Sequence, residues 1–309
     1  MSKLPRLLFC VLLALAWPAA GAAAEPVAGD AHVLVLGRIS DDPKTHYEQL
    51  KPLLDYVVPR LADVGIREGR ILMARDAQQM ASYLRRGRVD WVTETSGTGM
   101  LLHQRAGAVP LLLTERDGVS RYRTLFLARR DSGIGGIDAL RGRSIAFQNV
   151  SSTSAFFVPA SELLERGMPL TLLLSPQDRP GPGEVGYVFA RSELNVATWV
   201  HKRLVDVGVM SNLDWDNPAR LPPSYRADLR VVHATAAYPR ALEMVRADLD
   251  PKVRERLRQV LQDAAQDPDA REAMLRFFKT TRFLPIDAGS RHALDQLSIG
   301  VARVRADVE

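Results

Sequence analysis

The chain has 309 residues, 25% of them charged, a formal net charge of +5 and a single cysteine, Cys10. Basic and acidic residues are interspersed and only 6% of residues are aromatic, so neither the basic block nor the stacking platform of a nucleic-acid binder is present. Beyond residue 10 there is no thiol, which excludes disulfides and thiolate chemistry and leaves stability to a hydrophobic core.

Residues 1–24 read as a secretory signal peptide. Lys3 and Arg6 make a positive start, "LLFCVLLALAW" is an apolar run too short to span a bilayer, and Ala22-Ala23-Ala24 offers a small-residue cleavage site before Glu25. The expected product is a soluble, secreted periplasmic protein of residues 25–309. Its net charge is +3, because two of the five positive charges leave with the leader.

"HVLVLGRIS" (32–40) reads as a buried strand. "THYEQLKPLLDYVVPRLADVG" (45–65) has helical spacing at Leu50, Leu53, Leu54, Val57 and Leu61, with Pro52 expected in the first turn and Pro59 expected to kink or shorten the helix. A strand at 70–75 follows, then a helix at 76–87 with Asp76 as N-cap and Gly87 as C-cap. A strand at 89–95, a short helix at 98–107 and a strand at 108–115 complete a β-α-β-α-β-α-β alternation, which implies a mostly parallel sheet covered by helices. Residues 121–211 form a second α/β unit, with strands at 121–130, 144–149, 170–175, 185–191 and 205–211 and helices after Ser152 and at 193–204. The remainder reads as a strand at 229–235 followed by helices at 238–249, 250–267, 269–283 and 288–308.

The segment "FQNVSSTSAFFVP" (147–159) sets Ser151, Ser152, Thr153 and Ser154 in a row where a strand hands over to a helix. A helix N-terminus carries unpaired N–H groups and a partial positive charge, so small hydroxyls there can hold an oxyanion without metal or arginine. The competing reading is capping, in which one hydroxyl satisfies a first-turn amide. Other polar groups lie at strand ends: Ser40 and Asp41 after the first strand, and Glu94, Thr95 and Ser96 after the third. Ligands of open α/β sheets bind beyond the carboxyl ends of strands.

"GRSIAFQNVSSTSAFFVPASELLERG" resembles the "GK-x-F-x-DP-x-STSG-x-x-x-P" segment of the periplasmic phosphate, phosphite and phosphonate-binding proteins, the solute-binding subunits of ABC importers. "ARRDSGIGGIDALRG", "LVDVGVMS" and "LRVVHATAAYP" resemble the flanking segments of that family, and the similarity covers nearly all of 32–285. The resemblance implies a two-lobed α/β protein of the type II periplasmic binding class. Each lobe is a mostly parallel sheet flanked by helices, and two hinge crossovers join them. One lobe is expected to comprise 25–115 plus 212–309 and the other 116–211.

It also implies that the ligand lies between the lobes, that Asp206 matches the family's aspartate strand, and that the partner is an ABC permease in the inner membrane. The protein is expected to be a monomer. Ala155 replaces the family's glycine and should leave the backbone amides usable. Ser192-Glu193 stands where a histidine is expected. Glu94 or Glu193 would suit a ligand that carries an amine beside its oxyanion, although loop-end solvation for Glu94 and helix capping for Glu193 are alternatives. Tyr122 and Tyr187 either wall the cleft or pack in the core.

Two other classes compete. A sensing protein that reports to a membrane receptor or kinase would have the same cleft. A hydrolase would need a nucleophile or metal motif, and the chain has no G-x-S-x-G, no S-x-x-K, no H-x-x-x-H and no phosphate-binding P-loop. No metal or cofactor is expected.

Overall fold

The computed structural model describes residues 32–308. The signal-peptide reading of residues 1–24 and the new N-terminus at residue 25 lie outside these residues. The chain begins with β1 (Val33–Ile39), α1 (Pro43–Val57), β2 (Glu68–Ala74), α2 (Ala77–Arg85), β3 (Trp91–Thr95), α3 (Ser96–Ala106) and β4 (Val109–Arg116). Asp42 caps α1 by accepting from the Thr45 amide, so the helix starts at Pro43. Pro52 therefore sits inside α1 rather than in its first turn, as the sequence reading had it. Pro59 does end the α-helical geometry, and Val58–Val64 continues as a 3-10 helix. Asp76 caps α2 through the Gln79 amide, and Gly87 follows the helix at φ 63°, a conformation that favours glycine.

The second unit contains β5 (Arg121–Tyr122), β6 (Thr124–Arg129), β7 (Arg143–Phe147), α4 (Val158–Glu165), β8 (Leu170–Leu172), β9 (Val185–Phe189), α5 (Glu193–His201), β10 (Val207–Ser211), α6 (Asn212–Trp215), α7 (Pro223–Asp228) and β11 (Leu229–Ala234). The chain ends with β12 (Tyr238–Pro239), β13 (Ala241–Val245), α8 (Pro251–Asp263), α9 (Arg271–Arg276), β14 (Thr280–Leu284) and α10 (Ala288–Val308).

Two six-stranded sheets result, in the orders β14-β4-β13-β3-β1-β2 and β11-β6-β10-β7-β9-β8. In the first, β1 pairs in parallel with β2 and β3, and the antiparallel β13 is wedged between β3 and β4. In the second, β7, β8, β9 and β10 run in parallel and β6 runs against them. Most strands of each sheet thus point one way, with helices on the faces. Where the chain passes between the sheets, β5 and β12 form a two-stranded antiparallel ribbon with Tyr122 opposite Tyr238.

Three sequence expectations change. Residues 238–249, read as a helix, supply β12 and β13. All five residues of β13 are buried at the centre of the sheet, and a strand buried on both faces shows no period-two alternation. Residues 269–283 are helical only as far as Arg276, in a 3-10 turn at Pro268–Ala270 and an α-helix at Arg271–Arg276, because Phe278 and Lys279 both adopt φ 55° and turn the chain into β14 beside β4. Finally, β11 hydrogen-bonds to β6, so residues 212–234 belong with the second sheet. The return crossing falls at 235–240 rather than at 212.

The apolar core is continuous between the sheets. Helix α10 carries Leu294, Leu297, Val301 and Val304 along one buried stripe, which joins Met100 and Leu102 of α3 and Ala160 and Leu163 of α4 in a single cluster. Separate clusters lie under α1 and α8 on the first sheet and under α5 on the second.

Candidate functional site

The carboxyl ends of β1 and β3 face those of β7, β9 and β10 across a cleft of about 660 Å³. That volume falls in the range of small-molecule sites. It is lined from the first sheet by Ser40, Asp41, Glu94 and Thr95, and from the second by Ser151 to Ser154 and Glu193. Nine of the eleven residues singled out in the sequence are thereby brought together.

The hydroxyl row is built by the β7 turn. Asn149 accepts from the Ser151 amide and hydroxyl. Ser152 is an N-cap whose Oγ accepts from the Ala155 amide at 3.1 Å. Capping and cleft lining therefore coexist at Ser152, and of the backbone amides in this turn that of Ala155 is already taken. The first turn, Thr153–Phe157, is wider than an α-helical turn: the Phe157 amide reaches back five residues to the Ser152 carbonyl. The first-turn amides of Thr153 and Ser154 have no intrahelical acceptor. The Ser154 carbonyl is anchored by Thr124 Oγ1 at 2.8 Å, and that hydroxyl also meets Tyr238 Oη at 2.9 Å. The row is thus tied through Thr124 to the ribbon between the sheets.

Two hydrogen bonds cross the cleft. The Gly97 amide donates to Thr153 Oγ1 at 2.8 Å, and Thr98 Oγ1 donates to the Ser151 carbonyl at 2.9 Å. Thr153 accepts in this bond, so its own proton stays free to donate. Glycine is required at 97 because a Cβ there would lie 2.7 Å from Thr153 Oγ1.

The expected carboxylates are already engaged. Glu94 accepts from the Ile39 amide at 3.0 Å and pairs with Arg38 at 3.1 Å. Glu193 accepts from Gln148 at 2.8 Å and pairs with Arg220 at 3.2 Å, while burial raises its pKa. Ser40 holds His46 Nδ1 at 2.6 Å, and burial followed by repulsion from Arg38 lowers the pKa of that histidine.

Two expected residues lie elsewhere. Asp206 precedes β10 at its amino end, five residues and about 17 Å of strand from the cleft end at Ser211. There it accepts from the Ser144 amide and hydroxyl at 2.9 and 3.0 Å and pairs with Arg143. Ser96 is buried and donates to the Pro239 carbonyl at 2.5 Å, which secures the return crossing. Tyr122 does line the cleft, and burial pushes its phenol up to about 12, so it remains a neutral donor. Tyr187 packs against Phe147 and Phe189 instead.

Sequence reasoning missed the cationic lining: Arg38, Arg75, Arg116, Arg191 and Arg240. With four lining carboxylates against five guanidiniums, the cleft has a positive balance that favours an anion. No motif marks these arginines, because each comes from a different element or loop. Among the described residues no cluster of His, Cys, Asp and Glu could hold a metal ion, and no helix is long and apolar enough to cross a membrane.

Residues 37–290 match the family described as ABC transporter, phosphonate, periplasmic substrate-binding protein. Among solved structures, the chain is similar to XAC2383 from Xanthomonas citri bound to chloride ion. Identity is 58%, coverage is 90% of this chain and 100% of that one, and the TM-score is 0.86. The same protein bound to ATP aligns at 57% identity and the same coverage, with TM-score 0.85. PhnD1 from Prochlorococcus marinus (MIT 9301), in complex with methylphosphonate, shares the fold at TM-score 0.63 and 14% identity, over 89% of this chain and 100% of that one. The chain belongs to the family of periplasmic phosphonate substrate-binding proteins of ABC transporters.

Proposed function

We propose that this chain captures a phosphonate or phosphate-like oxyanion in the cleft and delivers it, as a monomer, to an ABC permease in the inner membrane. The observation that carries the reading is the hydroxyl row of Ser151, Ser152, Thr153 and Ser154, which lines a positively balanced cleft and touches the opposite lobe at Gly97 and Thr98. In this reading the free protons of Ser152 and Thr153, with the first-turn amides, donate to the anion. Thr95, Ser40 and Asp41 close the site from the first lobe. Hinge bending at the β5–β12 ribbon opens and shuts the cleft.

Glu94 and Glu193 are already paired, which weighs against an amine as a required part of the ligand. The cleft volume leaves room for an organic group beyond a bare phosphate. The similarity to XAC2383, which has been solved with ATP, extends the candidate class to phosphate esters.

Isothermal titration of ligand-stripped protein with phosphate, phosphite, methylphosphonate, 2-aminoethylphosphonate and ATP tests the reading. Saturable binding of at least one is expected. Absence of binding to all five overturns the ligand class. Membrane cross-linking of the ligand-bound protein is expected to capture a permease. Capture of a receptor or kinase instead would assign the same cleft to sensing.

A further inference from the structure

Arg116 ends β4 at the floor of the cleft and is only 8% exposed. Buried guanidinium groups are ordinarily paired with a carboxylate. Arg116 forms no ion pair among the described residues, its Nε has no hydrogen-bond partner, and its single side-chain bond is a long one, 3.4 Å to Thr93 Oγ1. Arg38 beside it also leaves Nε without a partner. Both guanidiniums stack on the ring of Phe278, at 4.5 and 5.0 Å from its centroid. Phe278 adopts φ 55°, a backbone conformation that a bulky residue rarely adopts.

The nearby carboxylates are spoken for. Glu94 is shared between Arg38 and the Ile39 amide. Glu243 is buried beneath and accepts from Trp91, Thr93 and Thr114. Arg240 adds a third cation, and its Nη1 donates to the Arg116 carbonyl. Burial, followed by repulsion from Arg38, brings Arg116 down to about 10, so it stays charged at neutral pH. The floor therefore holds two stacked guanidiniums, of which Arg38 is paired with Glu94 and Arg116 has no ion-pair partner among the described residues, and each leaves its Nε without a partner.

We infer that Arg116 and Arg38, over Phe278, form a second anion subsite in the cleft, and that the ligand is an organophosphorus compound bearing a second acidic group, carboxylate or phosphoryl. The inference rests on capture of an oxyanion by the hydroxyl row. The two subsites are separate. Arg116 reaches Thr93, whereas Thr153 touches Gly97 beyond the end of β3. From Thr93 to Gly97 the chain runs four residues, and the two strand residues to Thr95 alone span about 7 Å, close to the roughly 8 Å that one phosphoryl group can bridge between two donors, so a ligand with two acidic groups suits the whole span. One acidic group sits on the hydroxyl row and the other on the guanidinium pair.

The experiment compares methylphosphonate, phosphonoacetate and pyrophosphate by isothermal titration on native protein and on Arg116→Gln, Arg116→Lys and Arg38→Gln variants. For native protein, phosphonoacetate or pyrophosphate is expected to bind about tenfold or more tighter than methylphosphonate, the gain from charge-assisted bonds to a second head. The readout is that ratio. It should collapse toward one in Arg116→Gln and in Arg38→Gln and be partly kept in Arg116→Lys. Because either glutamine variant suffices, failure of one to fold does not remove the test. A native ratio near one, with methylphosphonate bound, overturns the second subsite and leaves the hydroxyl row standing. A ratio that persists in both folded glutamine variants overturns it equally. Failure of all three probes to bind native protein overturns the second subsite, while the five-ligand titration above decides capture of an oxyanion by the hydroxyl row.

Discussion

Gly97→Ala should cost ligand affinity without unfolding either lobe. The added Cβ would sit 2.7 Å from Thr153 Oγ1, 3.0 Å from Phe157 Cδ2 and 3.3 Å from Thr153 Cα. The last contact is backbone, and Thr153 is buried, so rotating a side chain does not relieve the clash. Overpacking of this kind costs about 1–3 kcal/mol, and the penalty falls on the form in which the lobes touch. If the ligand is held in that form, its dissociation constant should rise about five- to 150-fold. Gly99→Ala is the control. Its Cβ would meet Met244 Sδ at 2.7 Å and Leu242 Cδ1 at 2.9 Å, both within the first lobe. It should lower the melting temperature by about 2–4 °C per kcal/mol with little change in affinity. Titration and thermal unfolding of both variants, with the small-angle scattering radius of the ligand-bound form, separate the effects. Native affinity in Gly97→Ala, or parallel losses of affinity and stability in both variants, would refute the argument that the Gly97–Thr153 contact belongs to the ligand-holding form.

Three further outcomes are expected. The Ser152→Ala/Thr153→Ala double variant should weaken an oxyanion ligand by about 2–4 kcal/mol, through two lost charge-assisted hydrogen bonds, measured by titration. It should also lose about 0.5–2 kcal/mol of stability from the missing N-cap. Asp206→Asn should lower the unfolding free energy by about 1–3 kcal/mol, read from the shift of the denaturation midpoint, through its weakened bonds to Ser144 and Arg143, while ligand affinity holds; a selective loss of affinity would return Asp206 to the binding site. The pKa of His46 is lowered from its ordinary 6.5 in the folded protein, so between that lowered value and 6.5 the unfolded chain binds more protons. Stability should therefore rise with pH through this window and level off above it, and His46→Gln should flatten the slope in urea melts taken at successive pH values.

Much of the fold was legible because its evidence is local. Asp76 before an amphipathic run and Gly87 after it marked α2, and the helix expected at 288–308 is α10, Ala288–Val308. The row from Ser151 to Ser154 marked the cleft because its context resembles that of a known family. Pro52 misled because a helix's first turn depends on where the cap is made, and Asp42 made it earlier.

The elements misread are those whose identity depends on neighbours far along the chain. "ALEMV" is rich in helix formers, yet it became the central strand because β3 and β4 left a slot that only an extended segment fills. Glu243 is tolerated there because Trp91, Thr93 and Thr114 all donate to it. Asp206 carried a binding signature in the sequence, but strand direction put it at the wrong end of the sheet. The guanidinium pair had no signature at all: Arg38 is the penultimate residue of β1, Arg116 ends β4, and the ring they share arrives from residue 278. Local propensity and pattern thus set the elements and the hydroxyl row, while strand order decided which charges meet, because burial and counter-charge are properties of the assembled sheet and not of any one segment.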